Sequence, residues 1–186
     1  MCFILFWSLV FSQFEASSHE PTDERGDPNY RRKTDIDVNK VRATTFNYGL
    51  VGRTAGEVPD EIPFEWPVNS GRYYIAMVAL TVGAEYTADD GSTVKMVTVD
   101  GRQDNSGNSK GWEPVPGYLN SNSTKIAISD DEDTWPTSWP DKMSDNDDPG
   151  WSNSWNGYFG KNQFNAEQEV YYKVSDDRNF TDGYNY

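Results

Sequence analysis

A chain of 186 residues has the length of a single domain, and its net charge of −14 is the wrong sign for nucleic acid or an anionic membrane surface, which call for basic patches. Leu, Ile, Val and Phe together make up under a fifth of the chain, so the seven Trp and eleven Tyr must supply much of any core. One cysteine (Cys2) and one histidine (His19), both near the N-terminus, leave the rest of the chain without a disulfide, a thiolate or imidazole metal site, or a Ser-His-Asp triad.

Residues 2–14, CFILFWSLVFSQF, form an apolar run too short to span a membrane and long enough for the centre of a signal peptide. Ala16 and Ser18 stand at the −3 and −1 places of a cleavage site. Residues 1–18 therefore read as a signal peptide, lacking the usual basic start, and the mature chain as exported to the cell surface or the medium. Residues 19–38 are charged, carry Pro21, Gly26 and Pro28, and read as a mobile leader. A β-rich module is expected over 39–186.

Within that module Val41–Tyr48 is rich in β-branched and aromatic residues and reads as the first strand, ended by Asn47-Tyr48-Gly49 and Gly52. Val58–Pro67 contains Pro59, Pro63 and Pro67 and reads as an extended connector. Arg72–Ala84, RYYIAMVALTVGA, is the strongest apolar run of the mature chain; being continuous rather than alternating, it predicts a central strand buried on both faces. Asp90-Gly91 is a turn signal between Leu80–Thr87 and Ser92–Asp100, which predicts a β-hairpin. The hydrophobic centre is expected where Tyr74–Val82 meets Val94–Val99. Thr124–Ser129 reads as a short strand, Asp130–Asp133 as an acidic turn, and Gln168–Ser175 as a further strand. No stretch of the mature chain keeps a helical period. The expected fold is mainly β, an antiparallel sheet or β-sandwich with long polar loops, reading as cut short at its C-terminus because no closing element follows Ser175-Asp176-Asp177.

Three kinds of chemistry are open to these residues. The stretch Thr134–Tyr172 concentrates aromatics on turn-rich backbone. Trp139, Trp151, Trp155 and Tyr158 could stack on sugar faces while nearby Asp and Asn bond the hydroxyls, or the same rings could pack under loops as a satellite core. Asp145, Asp147 and Asp148 are candidate Ca²⁺ ligands, the only cofactor the chain suggests; Asp35, Asp37 and Asn39 form a second acidic group and Asp130, Asp131 and Asp133 a third. Asp35–Asn39 opens like an EF-hand loop but Phe46 stands where its closing Glu belongs. The alternative is that these carboxylates cap turns and face water. Glycoside hydrolysis needs two carboxylates, such as Glu65 with Glu169, and an acidic chain always offers such pairs.

Two blocks carry a resemblance. NKVRATTFNYGLVG with FEWPVNSGRYYIAMVALTVGA is the first, and KIAISDDEDTWPTSWPDK with PGWSNSWNGYFGKNQFNAEQEVYYKVSDD the second; together they span Asn39–Asp177. Their order of Trp-Pro, Trp-Pro-Asp-Lys and Trp-Asn-Gly-Tyr-Phe-Gly resembles the N-terminal region of large uncharacterised secreted proteins of Bacteroidota and their relatives. The resemblance implies an exported polypeptide that continues into further β domains and a type IX secretion sorting domain, with no catalytic motif. The chain is thus expected to be a non-catalytic module with a structural or adhesive role. Its expected partners are downstream domains of the same polypeptide and extracellular polysaccharide, without nucleic acid or a stable membrane span. A carbohydrate-binding module using the Trp-rich segment is the alternative, and a fragment of a secreted glycoside hydrolase the third reading.

Overall fold

The computed structural model describes residues 25–53, 60–88, 90–99, 109–143 and 150–176. The expected signal peptide lies outside these residues. The architecture is mainly β: several small sheets, antiparallel but for one short parallel pair, none closed among the described residues. No described helix is long and apolar enough to cross a membrane.

The first sheet holds β1 (Lys33–Ile36), β2 (Ala43–Phe46), β3 (Leu50–Val51) and, in sequence, β4 (Phe64–Glu65) and β5 (Tyr73–Ile75) intervene before its last strand, β6 (Val78–Ala79). The order is β1-β2-β3-β6, while β4 and β5 pair with each other. All four residues of β2 are buried, including two threonines. Thr44 is satisfied by donating from Oγ1 to Asp35 Oδ1 at 2.6 Å and accepting the Ile62 N–H at 2.8 Å.

The expected mobile leader is corrected over residues 25–38, because β1 lies inside it and pairs with β2 from Lys33↔Phe46 to Ile36↔Ala43. The cause is a buried side chain at the start of the turn after β2. Asn47 accepts the Arg32 N–H at 2.7 Å and donates to the Tyr30 carbonyl at 2.9 Å, so its amide satisfies the segment's backbone as a partner strand would.

The expected hairpin is present as β7 (Thr81–Thr87) and β8 (Thr93–Val99), in register from Thr81↔Val99 to Thr87↔Thr93. The Gly91 N–H reaches the Ala88 carbonyl and the Ala88 N–H the Ser92 carbonyl, both at 2.9 Å, and Gly91 takes φ +81°, a left-handed position glycine occupies without steric cost. β9 (Ser109–Lys110) adds to β8 in parallel.

The long apolar run does not form one buried strand. Arg72–Ala84 is divided among β5, β6 and the start of β7, in three different sheets. Tyr73, Tyr74, Ile75, Val78, Leu80 and Val82 are each 46–63% exposed. The expectation fails for a physical reason: continuous apolarity implies burial on both faces only if something covers both. Here the pairings of β5 and β6 last only two or three residues, and the β3–β6 ladder ends with the Leu80 N–H bonding the Gly49 carbonyl at 2.8 Å before β7 pairs elsewhere.

The hydrophobic centre lies instead in the C-terminal half. β10 (Glu113–Pro114) and β11 (Ala127–Ile128) precede the hairpin of β12 (Asn156–Gly157) and β13 (Gly160–Lys161), and β14 (Val170–Tyr171) and β15 (Val174–Ser175) return to pair with β11 and β10 respectively. Between these pairs Val115, Tyr118, Leu119, Ala127, Trp139 and Trp155 form one buried cluster, flanked by Trp135, Trp151 and Tyr171. Trp139 meets Trp155 edge-on at 5.7 Å and Tyr171 at 6.3 Å, geometries that aromatic quadrupoles favour. A smaller cluster of Phe46, Tyr48 and Leu50 sits on the first sheet.

Two variants test this assignment of the core. Trp139→Ala and Trp155→Ala are each expected to cost about 3–5 kcal/mol in urea unfolding, whereas exposed Tyr158→Ala should stay within about 0.5 kcal/mol. Similar losses at all three positions would contradict it.

Candidate functional site

The four aromatics proposed as a sugar platform are not brought onto one face. Trp139 and Trp155 are 1% and 0% exposed and present no surface to a ligand, so the expectation is corrected for these two: they are core. In a chain short of aliphatic residues their area is needed inside. Trp151 is half-buried, with the Lys161 ammonium 5.4 Å from its ring centre. Tyr158 alone is well exposed, at 80%, edge-to-face with Phe159 on the turn between β12 and β13. Asp145, Asp147 and Asp148 lie outside the described residues.

Both carboxylates named for hydrolysis are held by donors from their own chain. Glu169 Oε1 accepts the N–H groups of Asn165 and Ala166 at 2.6 and 3.0 Å, closing a turn. Glu65 is buried in β4; its Oε1 accepts the Gly71 N–H at 2.7 Å and its Oε2 lies 2.8 Å from Arg42 Nη2. The Gly71 N–H, then the Asn69 N–H and the Arg42 guanidinium, hold its carboxyl below the ordinary carboxylate value against the opposing effect of burial. This ties down the turn 66–71, where Asn69 and Gly71 both take left-handed backbone. A parallel arrangement holds the N-terminal segment: Glu113 receives Arg31 Nε at 2.7 Å and Nη2 at 2.9 Å, a two-point contact.

An open cleft of about 660 Å³ lies between the first sheet and the β11 region. It brings two of the acidic groups together: Asp35 and Asp37 face Asp130 and Asp131, with Lys33 and Lys125 among them. Gln168 links the two sides, accepting the Asp37 N–H at 2.9 Å and donating to Asp130 Oδ2 at 3.0 Å. Lys125 Nζ donates to Asp131 Oδ2 at 2.8 Å, and this bond with the charge of Asp131 raises the pKa of the ammonium. Among the described residues no three carboxylate, imidazole or thiol groups converge on a point that could hold a metal ion. The cleft offers hydrogen-bonding groups of both signs and no aromatic ring among its lining residues.

The other candidate surface was not legible as one. Trp66 and Tyr74, on β4–β5 and their turn, are 48% and 63% exposed and stand edge-to-face at 5.9 Å. In the stretch that follows them in sequence Tyr73, Ile75, Val78, Leu80 and Val82 are also about half exposed, shared among three sheets and the links between them. The Trp66 N–H bonds the Arg72 carbonyl at 3.0 Å, so the ring stands on a turn fixed at both ends. The sequence signal was the same apolar run read as interior; the nearby Asn-Ser-Gly turn and three prolines were the hint that it is presented outward.

Comparison with protein-family models, with curated proteins and with solved structures finds no match to the chain.

The lowered pKa of Glu65 has a pH consequence. Its folded value lies below the ordinary 4.5, so its ionisation contributes stability fully present above about pH 4.5 and lost as pH falls through the folded pKa. Glu65→Gln is expected to lower Tm at pH 7, with the gap to the parent closing in melts taken at progressively lower pH below 4.5. A gap constant with pH would contradict this role.

Proposed function

We propose that the chain is a non-catalytic module of an exported cell-surface or secreted protein, with a structural or adhesive role, and that it makes contact through the stretch from Trp66 to Val82. The observation that carries this reading is the outward placement of the strongest apolar run of the mature chain, six of whose large side chains are about half exposed. Single exposed apolar residues need no explanation, but six large ones within ten residues of chain favour a contact surface. The apolar segment at residues 2–14 and the resemblance of Asn39–Asp177 to exported β proteins support the location. Its partners on this reading are further domains of the same polypeptide or material at the cell surface. The buried carboxylates Glu65 and Glu113 serve Arg pairs and backbone N–H groups, a structural use.

A second reading, binding of extracellular polysaccharide, is favoured by one observation: Trp66 and Tyr74 offer two neighbouring exposed rings, edge-to-face at 5.9 Å, beside a fixed turn. It moves the sugar platform from the buried tryptophans to this pair.

The double variant Trp66→Ala/Tyr74→Ala is expected to melt within about 3 °C of the parent, as surface changes do. Beads coated with the parent should adhere to envelopes of the producing cells, and beads coated with the variant should lose most of that adhesion. Retardation of the parent, but not the variant, in gels cast with soluble polysaccharide would favour the second reading. Full adhesion by the variant would overturn both.

A further inference from the structure

The stretch ends at the start of β7, and β7 itself carries a second feature. Among the described residues β7 pairs on one side only, with β8. The bond from the Ala88 N–H to the Ser92 carbonyl sets the alternation of the ladder. Ala88–Ser92 is a hydrogen-bonded pair, so in the register Tyr86↔Val94, Ala84↔Met96 and Val82↔Thr98 are too. The intervening residues Thr81, Gly83, Glu85 and Thr87 turn their N–H and carbonyl groups toward the open edge. Every residue from Thr81 to Glu85 is exposed. An open edge of this length, with a single charge on it, is a template for another strand.

We propose that this edge pairs antiparallel with β7 of a second copy of the chain, about a two-fold axis at Ala84. The proposal rests on reading the stretch as a contact surface and names the partner of its β7 end. The strand is self-complementary in this register. Thr81 meets Thr87 of the second copy, Val82 meets Tyr86, Gly83 meets Glu85, and Ala84 meets Ala84. The outward-facing residues then meet one another and exchange paired backbone hydrogen bonds, and the two alanines form the closer, non-hydrogen-bonded pair on the axis. Val82, Ala84 and Tyr86 share one face of β7, so on that face the two strands meet through apolar side chains.

Charge selects this register over its neighbours. Centring the pair on Glu85 would set two carboxylates directly opposite, a destabilising arrangement. Centring it on Gly83 leaves part of the strand unpaired. With the axis at Ala84, each Glu85 lies over a glycine whose Cβ position is open, and keeps its own Lys95 at 3.3 Å. The net charge of −14 on each copy opposes association at long range, so pairing strengthens as salt screens it.

The test uses the full chain carrying Cys2→Ser. Ala84→Cys places two thiols at the axis, where the Cα separation of such a pair, about 4.5 Å, falls in the range a disulfide spans. Thr87→Cys sets them about 20 Å apart at 3.4 Å per residue. Under mild oxidant Ala84→Cys is expected to form a covalent dimer quickly and Thr87→Cys not to. Sedimentation of the cysteine-free chain at about 0.5 mM should show dimer that increases between 50 mM and 500 mM NaCl. Ala84→Asp and Glu85→Pro should be monomeric with circular dichroism like the parent, since the proline removes an N–H that faces only the open edge. A parent that sediments as a monomer in high salt, or equal crosslinking at 84 and 87, overturns the proposal. Neither result touches the contact-surface reading, which fails only if the Trp66/Tyr74 variant keeps its adhesion.

Discussion

The edge-to-face contact of Trp139 with Trp155 is the constraint on which the C-terminal half depends. Each indole buries on the order of 200 Å², area the chain cannot raise from its few leucines and isoleucines. Burying an indole also buries an N–H, and the surrounding backbone is arranged to meet that demand. Trp139 Nε1 donates to the Ser154 carbonyl and Trp135 Nε1 to the Ile128 carbonyl, both at 2.7 Å. Trp155 Nε1 has no such acceptor among the described residues. Its ring lies so close to Gly157 that a Cβ there would come within 2.7 Å of the nitrogen, so the glycine is required by the packing. The unpaired donor costs about 1–3 kcal/mol, which the apolar area of the ring outweighs.

The remaining connections are made by charge and amide groups rather than by a continuous apolar core. Arg31 with Glu113 ties the N-terminal segment to β10, and a Cβ at Gly26 would collide with the same Glu113. Arg31 also lies 4.4 Å from the centre of the Tyr48 ring, joining that ion pair to the smaller cluster. Arg42 with Glu65 fixes the turn that carries Trp66. In both pairs only the carboxylate is buried; its desolvation offsets much of the attraction, but removing the arginine leaves a buried charge uncompensated. They decide where segments sit more than how firmly the whole holds together.

This division of labour bears on function. With Trp139, Trp155 and the buried carboxylates used internally, the described residues leave to a partner the half-exposed side chains of Tyr73–Val82, the Tyr158–Phe159 pair, the open edge of β7 and the polar cleft. Half-exposed apolar side chains and an open strand edge are the kinds of feature that meet another polypeptide surface. The residues that a sequence reading assigns to the interior are thereby the ones left half exposed.

What the sequence determined by itself is what depends on neighbouring residues. The β class, the Asp90-Gly91 hairpin and the short strands within Thr124–Ser129 and Gln168–Ser175 follow from turn chemistry and β-branched or aromatic alternation, which act over a few residues. Tertiary structure decided everything that depends on what arrives from elsewhere in the chain. The leader became a strand because Asn47 reaches back to Arg32 and Tyr30, a contact that the leader's polar composition conceals. Trp139 and Trp155 became core and Trp66 and Tyr74 surface, although all four are aromatic residues beside turns. The run Tyr73–Val82 was shared among three sheets and left half exposed. Hydrophobicity states how much a side chain gains from leaving water, but whether it leaves is settled by the segments that close over it.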